Sequence, residues 1–212
     1  MSQYVWETSK NLIPYEEAIA KMENYVNDLH TGKVEEKIWL LEHPDIYTAG
    51  VSAKMDDMLD TNIPVIQTGR GGKITYHGPK MRIAYVMLNL KKRNSCDIRK
   101  YISNLEQVII NSLSRLNIAG ERRVGRIGIW VKTGKNTEDK IAAIGVRVRK
   151  WITFHGLSVN INPDLDKFKN IIPCGIDNPN YGVTSINKLG VKITMEEFDR
   201  IMQDEFGKIF SY

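Results

Sequence analysis

Gly69-Arg-Gly-Gly-Lys-Ile-Thr-Tyr-His-Gly-Pro79 is the densest local signal in the 212-residue chain. Its two adjacent glycines allow the backbone to approach another segment closely or to adopt positive φ. The arginine, threonine, tyrosine and histidine around them indicate a loop that leads into a strand lining a polar pocket. The residues leave open a plainer alternative, a glycine turn followed by a strand with an ordinary surface histidine. The spacing matches neither a P-loop nor a dinucleotide-binding fingerprint.

Periodic apolar residues on both sides of this segment predict helices and strands in mixed order. Apolar positions over 14–31 predict a first helix that begins near Pro14 and ends at Gly32. The other expected elements are strands over 38–41, 65–67 and 82–90, a helix capped by Asp97, several short strands between 127 and 162, and a final helix opened by the capping box Thr194-Met-Glu-Glu197. This order favours an α/β fold, an α+β mixed-sheet sandwich. No stretch resembles a linker, so residues 1–212 are expected to form a single domain.

Composition narrows the class of protein without naming its partner. The chain carries a net charge of +5, which suits an acidic protein or nucleic acid as partner, or is simply a mildly basic solvated surface. No apolar stretch approaches the length of a bilayer span and no secretory signal is visible, so we expect a cytoplasmic protein that does not contact membrane.

Cysteine and histidine usage argues against covalent or metal scaffolding. The two cysteines, Cys96 and Cys174, form no CxxC, and the four histidines are too scattered for a zinc pattern. Metal and cofactor are therefore both expected to be absent. Cys96 precedes a helix in a polar segment and is expected to be structural.

Lys140 and Cys174 have sequence surroundings that permit a catalytic pair. Lys140 opens an apolar strand, where a lysine is usually just a solvated end, and Cys174 lies between Pro173 and Gly175, which suits a side chain presented at a turn. A thiol becomes a good nucleophile only as a thiolate, which a nearby ammonium stabilises. A buried, inert cysteine remains the commoner fate of a lone cysteine. From the residues alone the pairing stays a hypothesis.

Several ordered motifs resemble those of the lipoyl(octanoyl) transferases, octanoyl-[acyl-carrier-protein]:protein N-octanoyltransferases. They span roughly residues 38 to 186 and are highly specific as a set. The matching segments are Leu41-Glu-His-Pro44 with Tyr47-Thr48, Arg70-Gly-Gly with Thr75-Tyr-His-Gly-Pro79, Lys140-Ile-Ala-Ala-Ile-Gly145, His155-Gly-Leu with Asn160, Pro173-Cys-Gly-Ile176, and Thr184-Ser185. One departure is visible, since the family usually has Gly-Gln where this chain has Lys80-Met81.

The resemblance implies the fold of the catalytic domains of biotin and lipoate ligases. It also implies that Cys174 accepts an octanoyl group from octanoyl-acyl carrier protein, that Lys140 activates it, and that a lysine of a lipoyl domain receives the group. The substrate-binding residues it implies are Arg70, Gly71, Gly72, Lys73, Ile74, Thr75, Tyr76, His77, Ala143, Ile144, Gly145, Gly156, Leu157 and Ser158.

Two other functions fit the sequence less well and make different predictions. An ATP-dependent lipoate or biotin ligase of the same fold would activate a free acid and would not need Cys174. A non-catalytic basic module that binds nucleic acid would be indifferent to Cys174→Ser.

Overall fold

A computed structural model describes residues 4–54, 63–171 and 180–210, which contain three α-helices, one 3-10 helix and eleven β-strands. The helices are α1 (Tyr15–His30), α2 (Ile98–Ser114), α3 (Met195–Phe210) and the 3-10 helix Leu165–Asn170. The strands are β1 (Tyr4–Leu12), β2 (Glu36–Glu42), β3 (Ile46–Ala49), β4 (Val65–Gln67), β5 (Ile74–His77), β6 (Met81–Met87), β7 (Glu121–Arg123), β8 (Arg126–Lys132), β9 (Glu138–Arg149), β10 (Ile152–Asn160) and β11 (Tyr181–Val183).

A mixed sheet forms the centre of the fold, with the strand order β1-β2-β6-β10-β9-β8-β7. Strand β11 lies parallel to β9 at the start of β9, where Val183 pairs with Lys140. A smaller sheet of order β4-β3-β5 lies outside this path. The sandwich of mixed sheets and helices expected from the sequence is therefore confirmed.

The two faces of the large sheet carry separate apolar cores because side chains alternate along each strand. On one face, Ile38 and Val86 pack with residues of α2 and α3. On the opposite face, Trp39 and Tyr85 pack with residues of α1 and of the small sheet. The small sheet therefore lies on the same side of the large sheet as α1.

The helix boundaries follow the capping residues of the sequence. The Asp97 carboxylate accepts a hydrogen bond from the Lys100 backbone N–H at 3.0 Å at the start of α2. At the start of α3, the Glu197 N–H donates to Thr194 Oγ1 at 3.2 Å and the Thr194 N–H donates to Glu197 Oε2 at 2.8 Å. This reciprocal arrangement is the capping box that the sequence predicts.

Lys80 shows what the departure from the family pattern does to the backbone. It follows β5 with φ at 63°, in the left-handed region that costs a non-glycine residue roughly 1–2 kcal/mol. Its N–H donates to Glu42 Oε2 at 2.6 Å, and its carbonyl accepts from the Ile161 N–H at 3.2 Å. These hydrogen bonds hold a conformation that glycine would adopt without strain.

Candidate active site

A cavity of about 590 Å³ lies where the glycine-rich loop and β5 meet β9 and β10. Its volume is in the range of small-molecule sites. The sequence-predicted residues on its wall are Arg70, Gly71, Gly72, Lys73, Thr75, His77, Lys140, Ala143, Ile144, Gly145, Gly156, Leu157 and Ser158. The fold thus brings together three motifs that are far apart in sequence.

The glycine-rich loop docks directly on β9. Arg70, which is buried, fastens the loop to β3 by donating from Nε and Nη2 to Thr48 Oγ1 at 3.2 and 2.7 Å. The Gly71 N–H donates to the Val146 carbonyl at 2.9 Å. At Gly145 a Cβ would lie 3.0 Å from the Gly71 carbonyl oxygen, so this close contact between loop and strand favours a glycine.

Strand alternation divides the predicted residues of β5 into two sets. Thr75 and His77 line the cavity, whereas Ile74 and Tyr76 do not. Ile74 and Tyr76 belong instead to the apolar core under α1, and the Tyr76 hydroxyl donates to Asp45 Oδ1 at 2.6 Å. Ile74 and Tyr76 therefore lie apart from the side chains that line the cavity, because successive side chains of a strand point to opposite faces, and their part in substrate binding stays a prediction.

Buried Tyr15, His77, Tyr85 and His155 line the cavity, and His43 contacts Tyr85 without lining it. His43 Nδ1 lies 2.7 Å from the Ile13 carbonyl, which can only accept, so this nitrogen carries the proton. Its Nε2 then accepts from the Tyr85 hydroxyl at 2.9 Å. Burial lowers the pKa of His43 to about 4, which keeps the ring neutral in this arrangement.

His155 has a strained backbone in the middle of β10. Its φ is 55°, in a region that non-glycine residues seldom adopt. Phe154 belongs to the core on the α1 side, and the His155 ring contacts Tyr85 of that same core. Regular alternation would send these two adjacent side chains to opposite faces, so the strain places the His155 ring at the cavity.

Acidification below pH 6.5 should destabilise the protein steeply. Burial lowers the pKa of His43 to about 4 and of His155 to about 3, and burial followed by the nearby His43 and Arg70 lowers that of His77. The unfolded chain binds these protons near pH 6.5 and the folded chain does not, so stability present above pH 6.5 is lost as pH falls toward the folded values. His43 and His155 should each cost about 2 kcal/mol between pH 7 and pH 5, and His77 acts in the same direction.

Urea unfolding at a series of pH values between 7.5 and 5 measures this loss. The His43→Gln variant should show a shallower dependence of the unfolding free energy on pH than the wild-type chain. His30→Gln, which removes an exposed histidine from the end of α1, is the matched control. A free energy of unfolding that stays flat over this range would contradict the assignment of neutral, buried histidines.

Lys140 lies on the cavity wall and is 6% exposed. Its ammonium lies 5.2 Å from the centre of the Trp130 ring. A Cβ at Gly128 would come within 2.9 Å of Lys140 Cε, so the glycine leaves room for the lysine chain. Within the part of the chain that the structure describes, no carboxylate forms an ion pair with this ammonium. Lysines are almost never buried unless they are paired, so Lys140 calls for a functional explanation.

Of the two cysteines, the structure describes only Cys96. Cys174, the predicted nucleophile, lies outside the described residues. Cys96 is exposed in the loop before α2, so it does not contribute to the apolar core.

Several residues that line the cavity are not among those predicted from the sequence. Tyr15 of α1 and Tyr85 of β6 line the floor, while Arg126, Trp130 and Tyr181 line the wall beside Lys140. Arg126 and Trp130 share one face of β8, since they are separated by an even number of residues. That alternation is visible in the sequence, but which strand β8 faces is not.

The described ranges, 4–54, 63–171 and 180–210, contain neither a metal-binding cluster nor a membrane-spanning helix. No group of three or more His, Cys, Asp and Glu side chains there could hold a metal ion. No helix in these ranges has both the length and the apolar character needed to cross a bilayer.

The model of the lipoyl protein ligase A/B catalytic domain matches residues 14–207. The chain belongs to this family. Within it, near-full-length relatives are octanoyltransferases, and the chain is accordingly an acyltransferase.

The relatives match this chain over nearly its whole length. An octanoyltransferase of Wolbachia pipientis wMel is 52% identical over 205 residues, which cover 97% of this chain and 98% of the relative. An octanoyltransferase of Rhodopseudomonas palustris (strain BisA53) is 49% identical over 209 residues, covering 97% of this chain and 89% of the relative.

Solved structures share the fold at low sequence identity. A bipartite lipoate protein ligase from Thermoplasma acidophilum superposes with a TM-score of 0.69 at 12% identity, over 99% of this chain and 83% of that one. A biotin protein ligase from Aquifex aeolicus gives 0.56 at 11% identity, over 100% of this chain and 70% of that one. These likenesses confirm the expected fold of the biotin and lipoate ligase catalytic domains.

Proposed function

We propose that residues 1–212 act as one octanoyltransferase catalytic domain. It moves an octanoyl group from octanoyl-acyl carrier protein to a lysine of a lipoyl domain, through a thioester on Cys174. The observation that carries this proposal is the buried Lys140 on the wall of the cavity, without an ion-pair partner among the described residues.

The pairing of β11 with β9 supports a close approach of the Cys174 side chain to Lys140. The chain segment that contains Cys174 continues into β11, and β11 runs beside the start of β9. The Thr184 N–H donates to the Lys140 carbonyl at 2.9 Å. The segment that carries the cysteine therefore leads into the stretch of chain hydrogen-bonded to the lysine.

The proposed reaction has two balanced steps. In the first, the Cys174 sulfur attacks the thioester carbonyl, the bond from that carbonyl to the carrier sulfur breaks, and Lys140 passes the thiol proton to the departing thiolate. In the second, the acceptor amine attacks the new thioester, an amide forms as the bond from the octanoyl carbonyl to the Cys174 sulfur breaks, and Lys140 passes the amine proton to that sulfur. A thioester donor is already activated, so no nucleotide enters the scheme, and neither does a metal.

His77 and the apolar lining account for substrate binding. His77 Nδ1 is buried and has no hydrogen-bond partner among the described residues, so we propose that it contacts the substrate and orients it. Apolar side chains from Ile83, Ile144 and Leu157 line the cavity. Burying an alkyl chain against them contributes about 0.8 kcal/mol per CH₂, which favours octanoyl over much shorter groups.

An ATP-dependent ligase is the second candidate, because the solved structures that share the fold include lipoate and biotin ligases. A nucleic-acid-binding module without activity is excluded as a function, since the chain is an acyltransferase. Its net charge of +5 instead suits acidic partner proteins, whose association should slow as salt rises.

Transfer without nucleotide is the result that separates the transferase from the ligase. The protein is mixed with octanoyl-acyl carrier protein and a lipoyl domain in the absence of ATP, and the products are mapped by mass spectrometry. We expect the lipoyl domain to gain one octanoyl group on a single lysine. Modification that requires free octanoate and ATP would establish the ligase instead.

A further inference from the structure

Arg126 is a cavity residue to which the proposed chemistry gives no role. It begins β8 and lines the wall near Lys140. The carbon of its guanidinium lies 4.0 Å from the centre of the Tyr181 ring and 4.5 Å from that of Trp130. Two aromatic rings, inclined to each other at 68°, therefore contact the guanidinium from two directions.

An ion pair fixes one side of this guanidinium. Arg126 Nη2 donates to Glu138 Oε2 at 2.7 Å. Hydrogen bonds from Arg123 and then from Arg126 lower the pKa of Glu138 to about 2, so the carboxylate stays charged at neutral pH. The contacts with the two rings and with the Glu138 carboxylate together fix the orientation of the guanidinium, and so the direction in which its second terminal nitrogen, Nη1, points.

The other side of the guanidinium is unsatisfied. Arg126 Nη1 is buried and has no hydrogen-bond partner within the described part of the chain. Buried donors in native proteins are almost always paired, and each exception calls for an explanation. Since Arg126 lines the cavity, an oxygen of a bound substrate can supply the missing acceptor.

The nearness of the Arg126 guanidinium to Lys140 indicates which part of the substrate that oxygen belongs to. Lys140 Nζ lies 5.2 Å from the Trp130 ring centre that Arg126 also contacts, which keeps the two cations within roughly 10 Å, about one Debye length at 0.1 M salt. In a pantetheine thioester the first amide oxygen is five bonds from the sulfur, or about 6 Å. A thioester held at Lys140 thus brings an amide carbonyl of its arm within reach of Arg126.

We propose that Arg126, held by Trp130, Tyr181 and Glu138, forms a subsite for the amide-bearing arm of the thioester donor. This inference rests on the proposed acyl transfer. Arg126 Nη1 donates to an amide carbonyl oxygen of the arm and aligns the thioester with the reacting sulfur. The arm departs with its thiol after the first step, so the subsite acts on loading of the enzyme and not on transfer to the acceptor lysine.

Two donors that differ only in the arm test the subsite. Single-turnover octanoylation of the protein is measured with S-octanoyl-pantetheine and with S-ethyl octanethioate, which lacks the amides. The preference is the ratio of the two loading rate constants. Arg126→Gln should lower this preference about 10-fold or more, the size expected for a hydrogen bond from a charged donor. Arg126→Lys keeps the charge but lacks the second nitrogen, and should lose the preference too.

Arg122→Gln is the matched control. It removes an arginine of the adjacent β7 that bonds to Glu106 and to the Ser103 carbonyl on α2, away from the cavity, and the preference should stay as in the wild type. Folding of each variant is checked by circular dichroism, and if Arg126→Gln does not fold, Arg126→Lys decides. An unchanged preference, or an equal loss with both donors, would overturn the subsite. A wild-type chain that is loaded by neither donor nor by octanoyl-acyl carrier protein would reject acyl transfer and the subsite with it.

Discussion

Cys174→Ala should abolish octanoyl transfer, lowering turnover by at least about 10³-fold. In the proposed reaction the sulfur forms the bond that holds the octanoyl group between donor and acceptor, and alanine offers no atom to replace it. Binding of octanoyl-acyl carrier protein should persist, because the cavity wall formed by the glycine-rich loop, β9 and β10 is unaltered. Steady-state transfer to a lipoyl domain measures the first effect and a binding titration with octanoyl-acyl carrier protein the second, while mass spectrometry after mixing with donor locates any octanoyl adduct.

Cys96→Ala is the control for this substitution. Cys96 is exposed in the loop before α2, so its removal should leave transfer intact while keeping the number of thiols equal to that of the first variant. An octanoyl adduct on a peptide that does not contain Cys174 would refute the covalent mechanism. Transfer by Cys174→Ala at a rate within tenfold of wild type would point to direct attack by the acceptor amine.

The helices were predictable because their signals are local. Pro14, Asp97 and the Thr194–Glu197 capping box each act within one turn of the helix they start, and α1, α2 and α3 begin where these residues indicate. Apolar residues at helical spacing then determine which side packs on the sheet. No knowledge of distant contacts is needed for either inference.

The strands were predicted less completely because pairing is a long-range property. The region between 127 and 162, expected to hold several short strands, contains most of β8 and the long strands β9 and β10. β1 was not predicted. Its Trp6 pairs with Ile38 of β2, which comes after the first helix in the sequence. Alternation along an isolated segment shows that it can be a strand, but not which partner satisfies its hydrogen bonds.

The same limit applies to the site. The motifs at Arg70–His77, Lys140–Gly145 and Gly156–Ser158 were found, and the fold brings residues of all three to one cavity. The motif around Tyr76 does not reveal which side chains face inward, and Ile74 and Tyr76 lie in the apolar core and not on the cavity wall. Arg126 and Tyr181 were missed because the stacking of their side chains depends on strand pairing.

Lys140→Met should lower octanoyl transfer by about 10²- to 10⁴-fold, the range of general acid–base catalysis. Methionine has a side chain of similar length and no charge, so it fills the space beside Gly128 without supplying a proton acceptor or an ammonium. Rates of the loading step and of the transfer step should both fall, because the proposed scheme moves a proton through Lys140 in each. Single-turnover measurements with octanoyl-acyl carrier protein, and with preloaded enzyme and lipoyl domain, separate the two.

The pH dependence of alkylation tests whether Lys140 acts on Cys174 itself. If its ammonium stabilises the thiolate, iodoacetamide should modify Cys174 of Lys140→Met at a higher midpoint pH than in wild type, nearer the value of about 8.5 for an unperturbed thiol. Lys132→Met, which removes an exposed lysine from the end of β8, should leave both the midpoint and the transfer rate unchanged. An unaltered alkylation profile in Lys140→Met, together with slow transfer, would confine the lysine to handling the substrate's protons. The buried ammonium would then serve the thioester carbonyl or the leaving thiol and not the nucleophile.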